Sequence, residues 1–453
     1  NGSYFLGNQS FEVRPLPDQQ PGPGCVRVRV AACGVCGTDV HIYHGGKGSA
    51  DVKPPVVLGH EFSGVVEALG PGVDTLALGD HVTVDPNMYC GKCHYCRIGK
   101  KQLCTGLQAY GVNLNGGFAE TCVVKQEQCY RLFPSVPLKY GAMTEPLACA
   151  VHGIDRANIR HGDTVCVLGG GAVGLMMVQL ARMAGASQVL LSEPVAMRRE
   201  IGLQVGADAA IDPVNEDLAA RVREITGLPG VDVVIECVGN AIAMKQAFQI
   251  CKRGTTILLL AFHPVDELDH FSPFDIYNKE LNIVGSLINP DTHDRAVSLI
   301  NHGRIQLEPL LTHFFPMDQL EQAGIVRYLG FDKTWNNTDN QNNIATYTNL
   351  SPGNYTFQVM ACNNDEVWNP EKAEIRITIL PPWWLSNGML VVYGILIVLA
   401  IALGYALLLQ RTNRRHRNKI AALHHENERK LFDAKIGFFT HITHEIRTPV
   451  TLI

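Results

Sequence analysis

The stretch that decides the fold opens as Cys36-Gly37-Thr38-Asp39-Val40-His41 and continues through Gly59-His60-Glu61. It closes on Cys90-Gly91-Lys92-Cys93-His94-Tyr95-Cys96 and, further on, Cys104. The last four cysteines form a Cys-x2-Cys-x2-Cys-x7-Cys array. Thiols at this spacing can surround one tetrahedral ion, and closed all-sulfur sites are structural zinc sites. The competing reading is disulfide pairing in a secreted protein. Cys-x2-Cys disulfides are usually redox-active rather than structural, and no secretory segment precedes this one. A sparser set, Cys36, His60 and Glu61 with Glu145 further on, offers mixed S, N and O donors. Mixed donors with room for a water or substrate describe a catalytic zinc. Alone this second set is weak, because buried Cys and His are common core residues.

At 453 residues the chain has room for two or three domains. A formal charge of -5 gives no reason to expect nucleic acid as a partner. The 14 cysteines, several at metal spacing, fit a reducing, cytoplasmic compartment better than an oxidising one. The sequence begins at Asn1 rather than Met, without a basic or apolar leader, so the expectation is no signal peptide and a missing true start.

From Glu12 to about residue 130 short β runs alternate with Gly and Pro, as in Cys25-Val26-Arg27-Val28-Arg29-Val30. This predicts a small β-barrel unit carrying the metal ligands on its loops. After Glu145 strands alternate with helices. The apolar run Thr164-Val165-Cys166-Val167-Leu168 reads as a parallel strand covered on both faces. It feeds Gly169-Gly170-Gly171-Ala172-Val173-Gly174 and then a helical stretch, and the next strand ends at Ser192-Glu193. In this strand-turn-helix context Gly169, Gly171 and Gly174 form a dinucleotide fingerprint. Glycine lets backbone approach the pyrophosphate, the helix N-terminus favours its charge, and Glu193 can accept both ribose hydroxyls. A 2′-phosphate would meet that carboxylate, which favours NAD over NADP, although Arg198 stands nearby. His152, Asp155, His263 and His293 read as ordinary surface or loop residues.

With these sets in order, residues 1 to about 328 resemble the zinc-containing medium-chain alcohol dehydrogenases, in the sorbitol, butanediol and threonine dehydrogenase branch. The resemblance rests on residues 33–41 and 59–62, Glu145-Pro146, Ile235-Glu236-Cys237-Val238-Gly239 and Leu311-Thr312-His313. It implies a GroES-like β-barrel catalytic domain at 1–147, a Rossmann NAD-binding domain with a doubly wound parallel sheet at 148–285, and a return to the catalytic domain at 286–328. It implies two zinc ions: a catalytic one on Cys36, His60 and a glutamate (Glu61 or Glu145), and a structural one on Cys90, Cys93, Cys96 and Cys104. It further implies hydride transfer from a secondary alcohol, or back to its ketone, with Thr38 taking the alcohol proton and His41 passing it to the surface. A homo-oligomer, dimer or tetramer, is expected. The family's closing strand is not found after Asp318 to Ala323; the text changes instead.

Residues 329–381 read as part of a β-sandwich, with a Pro352-Gly353-Asn354 turn between alternating strands. The uncharged run within 387–410 is long enough to span a bilayer, with arginines after it. Residues 411–453 resemble the start of a sensor histidine kinase dimerisation helix, with His444 in the phosphoacceptor position. The whole segment resembles a fragment of a hybrid two-component sensor. The two readings need opposite sides of a membrane, so the expectation is a junction of two unrelated partial proteins.

Overall fold

The computed structural model describes residues 1–317 and 320, except 8, 18, 47–49 and 264–271, together with 353–359, 373–379 and parts of 404–440. These residues fall into two compact units, 1–336 and 337–453.

The first part of the larger unit is mostly β. Its strands are β1 (Gly2–Gly7), β2 (Ser10–Arg14), β3 (Cys25–Gly34), β4 (Val56–Val57), β5 (Glu61–Leu69), β6 (His81–Val84), β7 (Asn87–Met88), β8 (Gln108–Ala109), β9 (Thr121–Lys125) and β10 (Cys129–Arg131). Short helices α1 (Gly37–Tyr43), α2 (His94–Arg97) and α3 (Leu138–Gly141) interrupt them. The central sheet runs β10-β6-β5-β3-β9. Alternation in β3 explains its place: Val26 and Val28 are fully buried while Arg27 reaches out to Glu67. Pairing of β3 with β5 sets Gly34 opposite Glu61 and Cys33 opposite Phe62. That register brings the chain before Cys36 beside His60.

The helix α4 (Thr144–Ala157) leads into the second part and spans the expected boundary at 147/148. There follow β11 (Thr164–Leu168), α5 (Ala172–Met183), β12 (Gln188–Ser192), α6 (Ala196–Gln204), β13 (Ala209–Ile211), α7 (Leu218–Thr226), β14 (Val231–Glu236), α8 (Ala241–Gln249), β15 (Cys251–Leu259), α9 (Pro273–Lys279), β16 (Asn282–Gly285) and α10 (His293–Asn301). All pairings are parallel, in the order β13-β12-β11-β14-β15-β16. This is the doubly wound order with its switch point between β11 and β14. Every residue of β11 is buried, as a central strand between two helical layers must be. One layer seals the sheet with Leu175, Met176 and Val178 of α5, the other with Val222 and Ala247.

One expectation fails here. His293 is 1% exposed, not a surface residue, because α10 packs against α4 and β10. Its ring lies 4.8 Å from that of Tyr130, and its Nδ1 is 3.4 Å from Asn289 Nδ2. Asn289 also donates to Asp85 and accepts from Asn87. Burial pushes the His293 pKa down to about 3 and that of Asp85 up to about 7. A histidine with a depressed folded pKa stabilises the fold above pH 6.5, and that contribution is lost as pH falls toward 3. Asp85 acts in the opposite sense, because below pH 7 the folded state takes up its proton first. His293→Gln is therefore expected to gain on the wild type as pH drops, by roughly 2 kcal/mol at pH 5 relative to pH 7. Thermal melts of both proteins at the two pH values check this; an unchanged difference would refute it.

In the smaller unit β17 (Gly353–Val359) pairs antiparallel with β18 (Ala373–Ile379). The expected β-sandwich is thus represented, among the described residues, by one two-stranded sheet. Residues 423–438 are helical. The expected membrane span at 387–410 lies outside the described residues apart from 404, 409 and 410, and His444 lies outside them too. Among the described residues no helix is long and apolar enough to cross a membrane.

Candidate metal and dinucleotide site

Cys36 is the N-cap of α1, its Sγ accepting the Thr38 N–H at 3.4 Å. Asp39 completes a capping box by accepting the Cys36 N–H at 3.0 Å. Gly59, at φ +87°, then turns the chain into β5; a side chain there would strike Phe118 and the Cys33 sulfur. His60 and Glu61 are aimed from this turn. Glu61 lies across Gly34, where an added Cβ would sit 2.1 Å from Oε2. The result is a group in which Cys36, His60 and Glu61 hold ligand atoms within 4.8 Å of one another.

The electrostatics of this group call for a cation. Burial, reinforced by Glu145 and Asp39, raises the Glu61 pKa to about 8 even with His60 opposing. Burial also raises the Glu145 and Cys36 pKa values. For His60 burial alone would lower the pKa, but Asp39 and Cys36 outweigh it and the net shift is upward. A divalent ion among these donors reverses the penalty on all of them. The donor set of thiol, imidazole and carboxylate therefore fits zinc with an open position.

Two contacts at this site were not foreseen in the sequence. Asp39 is fully buried and its Oδ1 lies 3.4 Å from His60 Nδ1, which leaves the other ring nitrogen for the metal. Glu145, on the first turn of α4, stands outside the tight group. Its Oε1 instead accepts the Cys149 thiol at 3.3 Å.

Cys90, Cys93, Cys96 and Cys104 also hold their sulfurs within 4.8 Å of one another. Backbone N–H groups of Cys93, Cys96 and Cys90 point at the sulfurs of Cys90, Cys93 and Cys104 respectively. Such donors lower the Cys93 pKa to about 6, and that of Cys90 also falls. Cys96 is pushed the other way, to about 12, by burial and its neighbouring thiols. A metal held among the four sulfurs would remove their competition for protons. Every described cysteine is a free thiol.

At the switch point Gly169 has φ +94° and packs against Val238. An added Cβ on Gly174 would lie 1.9 Å from the Gly169 carbonyl oxygen, so helix and strand touch there. Gly171 caps α5 and faces open space, leaving the helix N-terminus clear for a pyrophosphate. Glu193 is 3% exposed, accepting N–H groups of Gly170 (2.6 Å) and Val195 (2.8 Å). Arg198 Nη1 is 4.0 Å from its Oε1. Glu236, fully buried, accepts N–H groups of Val238 and Gly239 and contacts His263 Nε2 at 3.0 Å. His263 is thus tied to the switch point rather than being an idle loop residue; His152 stays half-buried and Asp155 pairs with Arg295 on the surface. Thr38 and His41 share α1, three residues apart, and the His41 ring lies 4.4 Å from that of Phe262.

Comparison with known proteins agrees with this geometry. Residues 22–134 match the alcohol dehydrogenase GroES-like domain, 172–302 the zinc-binding dehydrogenase family and 325–380 the Y_Y_Y domain. A 2-dehydro-3-deoxy-L-galactonate 5-dehydrogenase from Pseudoalteromonas atlantica is 36% identical over 71% of this chain and 93% of its own. An L-threonine 3-dehydrogenase from Pyrococcus horikoshii is 35% identical over 69% and 87%. A zinc-binding dehydrogenase from Sinorhizobium meliloti, solved bound to NADP, is 40% identical with a TM-score of 0.68, covering 72% of this chain and 94% of its own. The chain therefore belongs to the zinc-binding medium-chain alcohol dehydrogenases, the NAD(P)-dependent oxidoreductases built from a GroES-like and a Rossmann domain.

Proposed function

We propose that the chain oxidises the secondary hydroxyl of a small polyol, diol, sugar acid or amino alcohol to a ketone, with NAD as the hydride acceptor. The observation that carries this is the convergent group of Cys36, His60 and Glu61, in a chain that also has a glycine turn shaped for a dinucleotide. The numbers in the names of the two relatives, 5 and 3, place the oxidised carbon inside the substrate chain, which favours a secondary alcohol here.

When bound, zinc supplies Lewis-acid polarisation of a substrate oxygen and the dinucleotide supplies a hydride acceptor. The chain supplies the rest. Cys36, His60 and Glu61 would hold the catalytic ion, with Glu145 in reserve, and Cys90, Cys93, Cys96 and Cys104 the structural one. Thr38 Oγ1 accepts the substrate proton as it hands on its own hydroxyl proton, and His41, one turn along α1, passes a proton outward to the surface. Gly169, Gly171 and Gly174 seat the pyrophosphate and Glu193 the ribose. The enzyme works in a reducing, cytoplasmic setting where its thiols stay free, as a homo-oligomer. A panel of polyols, diols and threonine, followed by NADH absorbance, tests the reading. Turnover restricted to secondary alcohols is expected; no NADH from any of them would reject it.

Coenzyme choice gives a second test. A carboxylate held by two backbone N–H groups cannot turn away from a 2′-phosphate, so NAD is preferred. Glu193→Ser is expected to raise the NADP/NAD ratio of kcat/KM by about 100-fold, some 2.7 kcal/mol. The hydroxyl cannot span both N–H groups, so KM for NAD should rise as well. A wild type that turns over faster with NADP at equal concentration would overturn this reading.

For residues from about 329 to 453 a second reading is kept, a fragment of a two-component sensor with a membrane span at 387–410 and His444 as phosphoacceptor. The separate match at 325–380 and the separate compact unit favour it. Reading the source DNA across residues 320 to 340 tests the junction. Separate genes on either side would support it, and one continuous gene with membrane-bound dehydrogenase activity would defeat it.

A further inference from the structure

Glu145 is only 7% exposed, and its neighbours are the charged groups of the metal site, yet its carboxylate is not among the atoms that converge. What holds it is one turn further along α4. Cys149 sits at i+4 on the same face and donates its thiol proton to Glu145 Oε1 at 3.3 Å. The backbone of this turn is fixed, since Leu147 and Ala148 between them are fully buried and Val151 nearly so. The helix therefore sets the two side chains on neighbouring positions of one face, within reach of each other.

Resting on the catalytic-zinc reading above, we propose that Cys149 is a positioning residue whose thiol keeps the Glu145 carboxylate off the metal and one coordination place open for the substrate oxygen. The argument is one of competition. A dication attracts a buried carboxylate strongly, and a fourth protein donor closes a tetrahedral site as in structural zinc centres. A thiol is a weak hydrogen-bond donor. It would hold the carboxylate back from an ion bound by Cys36, His60 and Glu61 at a cost small enough for its removal to be read in metal retention. Gly34 leaves the space across which Glu61 lies, since an added Cβ there would strike its carboxylate. Asp39 accepts the Cys36 N–H and lies 3.4 Å from His60 Nδ1, so two of the converging residues adjoin the same buried carboxylate while Glu145 answers to Cys149.

The test uses the sign of the effect on metal retention. In Cys149→Ala and in Cys149→Val, which also fills the space, Glu145 is released onto the metal. Zinc should then leave to a chelator about tenfold more slowly, the scale of neighbouring-residue effects on metal affinity. KM for the alcohol should rise by a similar factor. A merely structural cysteine gives the opposite result, faster zinc loss from a loosened site. Cys149→Ser retains a hydroxyl donor and should restore wild-type release. In a Glu145→Gln background the Cys149→Ala change should have no further effect. Zinc loss that is unchanged or faster in both apolar variants overturns the proposal. The slow phase from the four-cysteine lobe is identified in Cys36→Ser. If that variant shows the same metal count as the wild type, the catalytic-zinc reading itself has failed, a different outcome from failure of the Cys149 proposal.

Discussion

Cys36→Ser is expected to lose one of two zinc ions and about 10,000-fold in kcat/KM while the protein stays folded. Serine is among the best N-cap residues, so its hydroxyl can take over the Thr38 N–H and leave α1 intact. The capping box with Asp39 uses the backbone N–H of residue 36 and survives as well. What is lost is the soft, anionic donor, and a neutral hydroxyl does not replace a thiolate on zinc. Four decades correspond to ~5.4 kcal/mol, within what a metal supplies by stabilising charge in the transition state. Metal analysis, circular dichroism and turnover are the measurements. Two zinc ions retained, or activity within tenfold of the wild type, would sink the assignment.

Cys93→Ser should have the converse profile. The lobe from Cys90 to Cys104 has little core of its own: Ile98 is 51% exposed and Leu103 41%. Its tie to the body of the protein includes an exposed ion pair, Lys101 to Asp291, and such pairs contribute little. The fold of the lobe then depends on the ion, because metal binding free energy is folding free energy in such segments. With one sulfur gone, the second zinc ion should be lost and the lobe should become open to proteolysis between residues 90 and 104. The melting temperature should fall on the order of 10 °C, with kcat reduced much less than in Cys36→Ser. An unchanged melting temperature with two zinc ions bound would show that the lobe stands without its metal.

These two variants also separate what was easy to read in the chain from what was hard. The four-cysteine lobe closes within fifteen residues, so its spacing already contains its geometry. The glycine turn is equally local, and its strand-turn-helix context was visible in Thr164 to Val173. The position of Glu193 directly after β12 was legible in the same way. By contrast the reading of His293 and His263 as idle residues was wrong for the first and incomplete for the second. Nothing near His293 in the sequence signals that α10 folds back onto β10. His263 meets Glu236 across 27 residues.

What the sequence by itself determined was therefore the chemistry on offer and the two domain types, because strand alternation, apolar runs and short metal spacings are local patterns. Which donors meet was decided by tertiary structure. Cys36 reaches His60 and Glu61 only through the β3–β5 register that sets Gly34 against Glu61. The place of Glu145 likewise depends on α4, where the Cys149 thiol one turn away donates to its carboxylate. Burial makes these choices consequential: inside the protein a carboxylate must find a cation, a proton or a hydrogen bond. Which of the three it finds depends on neighbours far away in the chain.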